Sequence, residues 1–325
     1  MKKSDFDFLV DLLHENAGWQ FTDEQYFIID KKMYNFVREK GYASVEELIA
    51  ELKMGQKAVL WQVVEALAMS DTSFYRDYKV FKAFEETILP HIRELNRGSK
   101  KLRIWSLGCA SGQEAYSIAI AVKNKLLGIS DWDISIIGTD ISSVAISKAQ
   151  KGIYSQFEVQ MGLNARMIID NFHLEKDQWL VNDDIMSLVE FRRYNLLEDL
   201  TFSENFDIIF CRNVLHFFDK ETQPKLLNKI SSRQTDGGFL YLGTEDRPLG
   251  LDSFYDPVEG MKCLYQAKLI PEHQRRSAAE QVEKNIPADA VTAAGQTPPE
   301  ENMPSFVRPA GLSYKRPVMA DVLKK

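Results

Sequence analysis

The chain is poor in cysteine, with three in 325 residues: Cys109, Cys211 and Cys263. They are too few and too scattered for a disulfide framework or a paired CxxC zinc site, so a reducing compartment is expected and a metal is not. No apolar run approaches the roughly 20 residues that span a bilayer. The N-terminal Met1-Lys-Lys-Ser-Asp-Phe-Asp7 breaks into charge at once. The expectation is a cytoplasmic protein with no direct membrane insertion. Positive charge is in deficit, and a net charge of −7 argues against nonspecific nucleic-acid binding, although it leaves room for a local basic face. Proline is scarce in the body of the chain, since seven of eleven fall in residues 271–325. What is present is ample for a core: 45% hydrophobic and 11% aromatic residues need no staples, and the length suggests two domains or one with appendages.

From Phe6 to about Met69, apolar residues recur at helical spacing, as in Leu9, Leu12 and Leu13, then Ile29, Met33 and Phe36, then Val45, Leu48, Ile49 and Leu52. This predicts a small domain of four or five helices. Gly41 follows a last turn carrying Arg38 and Lys40, as a helix C-terminus prefers, and Ser44-Val-Glu-Glu47 has capping-box spacing. The middle of the chain alternates short β-rich runs with longer amphipathic stretches, the α/β pattern. Strands are expected at Leu102–Leu107, Asp133–Gly138, Val189–Tyr194, Phe206–Cys211 and Gly238–Leu242. The stretch between Gly152 and Leu188 exceeds a normal connection and predicts an inserted subdomain. The expected domains are residues 1–77 (helical), 78–269 (α/β, with the insert near 152–188) and a disordered tail over 270–325.

Four segments carry chemistry. Gly108-Cys-Ala-Ser-Gly112 after the first strand is a small-residue turn, suited to close approach of a ligand to backbone N–H groups. It lacks GxGxxG spacing, which disfavours a bound pyrophosphate. Gly138-Thr-Asp140 sets a carboxylate at the carboxyl edge of the sheet, where it can accept both hydroxyls of a ribose; the bland alternative is a helix N-cap. Cys211-Arg-Asn-Val-Leu-His-Phe-Phe-Asp219 follows the fourth strand; Asn213 can hydrogen-bond an amino-acid moiety, while Phe217 and Phe218 are more often core, and His216 more often structural than a general base. Ser70-Asp-Thr-Ser-Phe-Tyr-Arg-Asp77 links the two regions, and its two aromatics count against a mere polar linker.

In their order along the chain, these segments resemble the chemotaxis receptor methyltransferase family, CheR, from about Phe6 to Leu269. The most specific pieces are Thr72-Ser-Phe-Tyr-Arg-Asp77, Ile104-Trp-Ser-Leu-Gly-Cys109 with Gly112-Gln-Glu-Ala-Tyr-Ser117, Phe157-Glu-Val-Gln160 with Gly162 and Leu163, and Phe206-Asp-Ile-Ile-Phe-Cys-Arg-Asn-Val214 with Phe218-Asp-Lys-Glu-Thr-Gln223. The resemblance implies a Rossmann-like S-adenosylmethionine (SAM)-dependent methyltransferase domain with a small N-terminal helical domain and a small inserted subdomain. It also implies methylation of glutamates on the helical cytoplasmic region of chemotaxis receptors, by a monomer that uses SAM, releases S-adenosyl-L-homocysteine and needs no metal. By position it implies that Thr72, Arg76, Glu114, Asp140, Asn195, Leu196, Asn213 and Val214 bind the cofactor, with Ser70 where the family often has asparagine. Arg76 is the implied catalytic cation, and Lys32 and Arg38 the implied receptor grip. Two departures stand out: Phe217 replaces a family tyrosine, and Gly243-Thr-Glu-Asp246 replaces Gly-His-Ser-Glu. Phe157-Glu-Val-Gln-Met-Gly-Leu163 resembles the insert of members that do not depend on a receptor's C-terminal pentapeptide. A non-catalytic SAM- or S-adenosylhomocysteine-binding regulator on the same scaffold is the alternative.

Overall fold

The computed structural model describes residues 1–68, 71–125, 131–201 and 203–269; Ser70 and the 270–325 tail of the sequence analysis lie outside them. The N-terminal part is helical: α1 (Lys3–Ala17), α2 (Tyr26–Lys40), α3 (Val45–Lys53) and α4 (Lys57–Leu67), with a 3-10 turn at Asp23–Gln25. Their apolar stripes meet in one core in which Leu9, Leu13, Met33, Leu48, Val63 and Val64 are fully buried. Gly41 ends α2 in the left-handed region at φ 81, as the sequence predicts. At α3 the cap differs slightly from the expected box. Ser44 Oγ accepts from Glu47 N at 3.3 Å, but the Glu47 carboxylate reaches Ala43 N at 2.6 Å rather than the cap residue.

Beyond the 71–77 segment, a helix runs as α5 (Tyr78–Ala83), a π-turn at Phe84–Ile88 and α6 (Leu89–Leu95). Pro90 lies in the first turn of α6; it has no N–H and its ring crowds the carbonyl four residues back, so the helix widens just before it.

The α/β part follows as β1 (Lys101–Leu107), α7 (Gln113–Lys125), β2 (Asp133–Asp140), α8 (Ser143–Lys151), then, after the insert, β6 (Val189–Arg193), β7 (Phe206–Cys211), α12 (Thr222–Ser231), β8 (Gln234–Leu242), α13 (Leu251–Phe254), β9 (Tyr255–Pro257) and β10 (Leu264–Ala267). They form a seven-stranded sheet in the order β6-β2-β1-β7-β8-β10-β9. The first five strands in that order pair in parallel, and β10 pairs antiparallel with both β8 and β9. The chain builds outward from β1 on one side and returns to β7 on the other, so the carboxyl ends of β1 and β7 flank a topological switch point, where open α/β sheets bind ligands. All six residues of β7 are buried, as a central parallel strand covered on both faces requires.

The insert comprises β3 (Ile153–Tyr154), α9 (Gln156–Gln160), α10 (Ala165–Asn171), β4 (Phe172–Glu175), β5 (Gln178–Val181) and α11 (Asp183–Met186), with a three-stranded antiparallel sheet β3-β5-β4. The 71–77 segment is anchored to it. Phe74 is fully buried and sets its ring edge against Tyr154 at 5.0 Å and Phe172 at 5.4 Å. Gly162 lies against the same segment: its φ is +113, and a Cβ there would sit 1.7 Å from the Phe74 carbonyl oxygen. Gly162→Ala should therefore destabilise the fold by about 2–5 kcal/mol, from backbone strain plus overpacking, as read by urea unfolding. A loss under about 0.5 kcal/mol, the level of a neutral surface change, would show that the two segments part freely.

Contacts at several points seat the helical part on the carboxyl edge of the large sheet. Glu65 of α4 accepts from Ser143 N at the start of α8 and from the Ser142 and Ser143 hydroxyls. Arg193 stacks 4.3 Å from the Trp61 ring. The end of α1 meets the loop after β7, where Gln20 N donates to Phe217 O at 2.7 Å and His14 Nε2 lies 2.6 Å from Asp219 Oδ2.

Candidate functional site

The turn after β1 is built by its neighbours. Gly108 has φ 73, and a Cβ there would come within 2.3 Å of Val214 Cγ2, so only glycine fits. Gly108 N and Cys109 N donate to Thr139 O at 2.8 and 2.9 Å, and Ala110 N donates to Asp140 Oδ2 at 2.9 Å. The sequence suggested free N–H groups aimed at a ligand. Instead these three are satisfied by the end of β2, because buried amides must pair; the turn provides close approach rather than an anion nest. The other Asp140 oxygen accepts Ser142 N at 2.9 Å, while the N-cap of α8 is Ser142, whose Oγ accepts Ala145 N. Asp140 is thus not the helix cap of the bland alternative. Burial pushes its carboxyl up from the ordinary value, and the amide hydrogen bonds restrain the rise.

A cavity of about 90 Å³ opens at this edge, where open α/β sheets take ligands. Its floor is made at the strand ends: Leu107 and Gly108 at the end of β1, Thr139 to Ile141 at the end of β2, Tyr194 to Leu196 after β6, and Asn213 and Val214 after β7. The register explains the convergence, since Leu107 pairs with Thr139 and Ile104 with Ile208, bringing the strand ends level. Its walls come from elsewhere: Ala17 at the end of α1, Trp19 and Phe21 after it, Leu67 and Ala68 at the end of α4, and Phe217 and Phe218.

The expected residues divide accordingly. Asp140, Asn195, Leu196, Asn213 and Val214 line the cavity, whereas Thr72, Arg76 and Glu114 do not. Asn195 is engaged at both ends of its amide, donating to Asn16 O at 2.8 Å and accepting from Leu197 N at 3.1 Å. Asn213 adopts φ 58, an uncommon conformation for a side-chain-bearing residue. Its amide is fixed by Asp246 Oδ2 at 2.7 Å. Arg76 turns to the Asp71 carbonyl at 2.8 Å. Lys32 and Arg38 do not share a face: six residues along a helix is about 240° of rotation. Lys32 turns inward, its Nζ 3.2 Å from Leu67 O and its ammonium pushed down by burial, while Arg38 is exposed beside Tyr34.

Glu114 belongs to a buried network that sequence reasoning did not find. Arg212 Nη1 donates to Glu114 Oε2 at 3.0 Å, and Nη2 to Arg76 O at 3.0 Å and to the Asp77 carboxylate. Ser106 Oγ also donates to Glu114 at 2.8 Å. Burial pushes the Glu114 carboxyl up against the opposing pull of Arg212 and Ser106. A cation directly after the apolar run at residues 208–211 was the available signal, since such a charge must be paired. The cavity walls were missed as well; two aromatics in the short Gly18-Trp-Gln-Phe21 connection were the clue.

At the outer end, the Phe217 ring lies 4.1 Å from the His216 ring, and His216 Nδ1 lies 3.3 Å from Asp246 Oδ1. Asp246 is 3% exposed. Burial alone would push its carboxyl up; hydrogen bonds from His216 and from the Asn213 and Gly243 amides more than offset this and hold it below its ordinary value.

The family model described as CheR methyltransferase, SAM binding domain, matches residues 70–261. Chemotaxis protein methyltransferase Cher2 of Pseudomonas putida is 30% identical over 270 residues, covering 81% of this chain and 98% of that protein. Chemotaxis protein methyltransferase 1 of Pseudomonas aeruginosa is 29% identical over 270 residues, covering 82% and 98%. The chemotaxis protein methyltransferase of Borreliella burgdorferi is 29% identical over 247 residues, covering 74% and 87%. With the glycine turn, the strand-end carboxylate and Asn213 inside the matched segment, the chain belongs to the CheR methyltransferase family, and residues 70–261 of its sheet domain match the SAM-binding domain of that family.

Proposed function

We propose that this protein transfers the methyl group of SAM to glutamate side chains on the helical cytoplasmic region of chemotaxis receptors. The observation that carries the reading is the convergence of Gly108, Asp140 and Asn213 on one cavity within the family match. A Cβ at Gly108 would fill the cradle, and the Asp140 carboxylate suits the two hydroxyls of a ribose. Asn213 then holds the amino-acid part, Leu196 and Val214 flank the ligand, and Thr72, Arg76 and Glu114, with Ser70, serve its outer end. The bound cofactor supplies a sulfonium methyl, already a good electrophile. The protein's work is to align the acceptor carboxylate and exclude water, which Trp19, Phe21, Phe217 and Phe218 do from the walls. Arg76 orients the acceptor as the catalytic cation. Residues 1–77, including Lys32 and Arg38, recognise the receptor, and residues 78–269 perform transfer as a cytoplasmic monomer that needs no metal. No helix among the described residues is long and apolar enough to cross a membrane.

The test is incubation with methyl-labelled SAM and receptor cytoplasmic fragments from the same cell. The expected result is base-labile label on glutamates; absence of label on every such receptor would overturn the assignment.

A further inference from the structure

Among the described residues, the wall that an anionic acceptor meets holds no Lys, Arg or His; Arg76 lies outside the lining with its guanidinium on Asp71 O, so its orienting role needs a second cation at the wall, and the one charged group there is the Asp140 carboxylate. The polar groups beside it are engaged. Thr139 Oγ1 accepts from Trp105 Nε1, the Tyr194 hydroxyl donates to Glu198 O, and both ends of the Asn195 amide are bonded. Two basic side chains that touch lining residues are committed elsewhere, Lys32 to Leu67 O, and Lys229 to Leu196 O and Glu198 O. His216 differs from both. Its ring packs on Phe217 at the cavity wall, its side chain is 50% exposed, and Nδ1 is held by the buried, ionised Asp246. An imidazole whose Nδ1–H donates to Asp246 presents Nε2 in a set direction, and it carries a second N–H there only as the doubly protonated ring.

We infer that His216, oriented by Asp246, binds the acceptor carboxylate through Nε2–H at the mouth of the methyl-transfer cavity. This rests on the reaction proposed above. One carboxylate oxygen is held by the imidazolium while the other forms the new bond to the methyl carbon. The methyl–sulfur bond breaks with its electron pair remaining on sulfur, which becomes a neutral thioether. No proton moves, so His216 acts here as a charged hydrogen-bond donor rather than a general base. Charge-assisted contacts of this kind are roughly twice as strong as neutral ones.

Sub-saturating turnover should therefore fall as pH rises across the range in which histidines lose their proton, about pH 5 to 8. The groups around the ring are Asp246, Arg247, whose guanidinium donates to the Thr244 and Asp246 carbonyls, and, at the far side of the 215–217 turn, the His14–Asp219 pair. His14→Gln is the control for that second histidine.

The experiment measures methyl transfer to a receptor fragment by the full chain between pH 5.5 and 8.5, with SAM affinity by calorimetry. His216→Leu is expected to raise the acceptor KM about 10- to 100-fold at pH 6, flatten the pH profile and leave SAM affinity within about twofold. His216→Gln, a neutral donor, should recover part of the KM and stay flat. The inference is overturned if His216→Leu keeps both KM and pH slope, or if the slope disappears in His14→Gln instead. Unlabelled receptor with the wild-type protein would overturn the proposed reaction and this role together, whereas labelling that ignores His216 overturns this role alone.

Discussion

Replacing Arg212 with leucine is expected to cost about 3–5 kcal/mol of stability at neutral pH, the usual penalty for removing one member of a buried ion pair. The Arg212 side chain is 2% exposed and Glu114 12%, so water cannot take over the lost contacts. Glu114 would be left with Ser106 as its remaining hydrogen-bond partner in a site where burial already pushes its carboxyl up. The sign of the pH dependence follows. A carboxyl whose folded-state pKa is raised binds more protons folded than unfolded, so the variant should regain stability as pH falls and lose it as pH rises through the folded value. Pairing Arg212→Leu with Glu114→Leu should recover part of the loss, because apolar pairs of similar volume replace buried ion pairs at little net cost. Urea unfolding of the two single variants and the double provides the cycle. A single-variant loss below about 1 kcal/mol, within the range of exposed pairs, would show that the network is solvated and of little consequence.

The second large effect is on ligand affinity. Asp140→Ala should weaken SAM binding about 100-fold, corresponding to loss of hydrogen bonds from two hydroxyls to a charged acceptor. The same carboxylate fixes the Ala110 and Ser142 amides, so a stability loss of about 1–3 kcal/mol should accompany it. Asp140→Asn, which retains one acceptor oxygen, should fall between wild type and alanine in both measurements. Calorimetric titration with SAM distinguishes the roles; affinity within about threefold of wild type, under 1 kcal/mol, would place the ribose elsewhere.

Much of this site was readable residue by residue because its chemistry is local. Gly108 sits in a turn that only glycine can occupy, and Asp140 ends a strand whose apolar run marks it as internal. In contrast, β9 and β10, of three and four residues, carry too little alternation to betray themselves, and they pair antiparallel onto an otherwise parallel sheet. Phe74 and Tyr75 are too apolar for a solvated linker, but nothing local tells where they pack. The destination of Phe74 is the insert core, more than 75 residues away for both Tyr154 and Phe172.

By itself, then, the sequence determined the elements: the helical periodicity before residue 68, the alternation of strand and helix, the glycine turn and the acid at the strand end. Each depends on interactions within a few residues, where periodicity and turn chemistry decide. Tertiary structure alone decided which faces meet. It turned Lys32 inward to the Leu67 carbonyl while Arg38 stayed outside, brought Trp19 and Phe21 over the sheet edge, and joined Arg212 to Glu114 and Asp77. Those contacts span dozens of residues, and their selection depends on burying apolar area and pairing charge across the whole molecule, which no local pattern records.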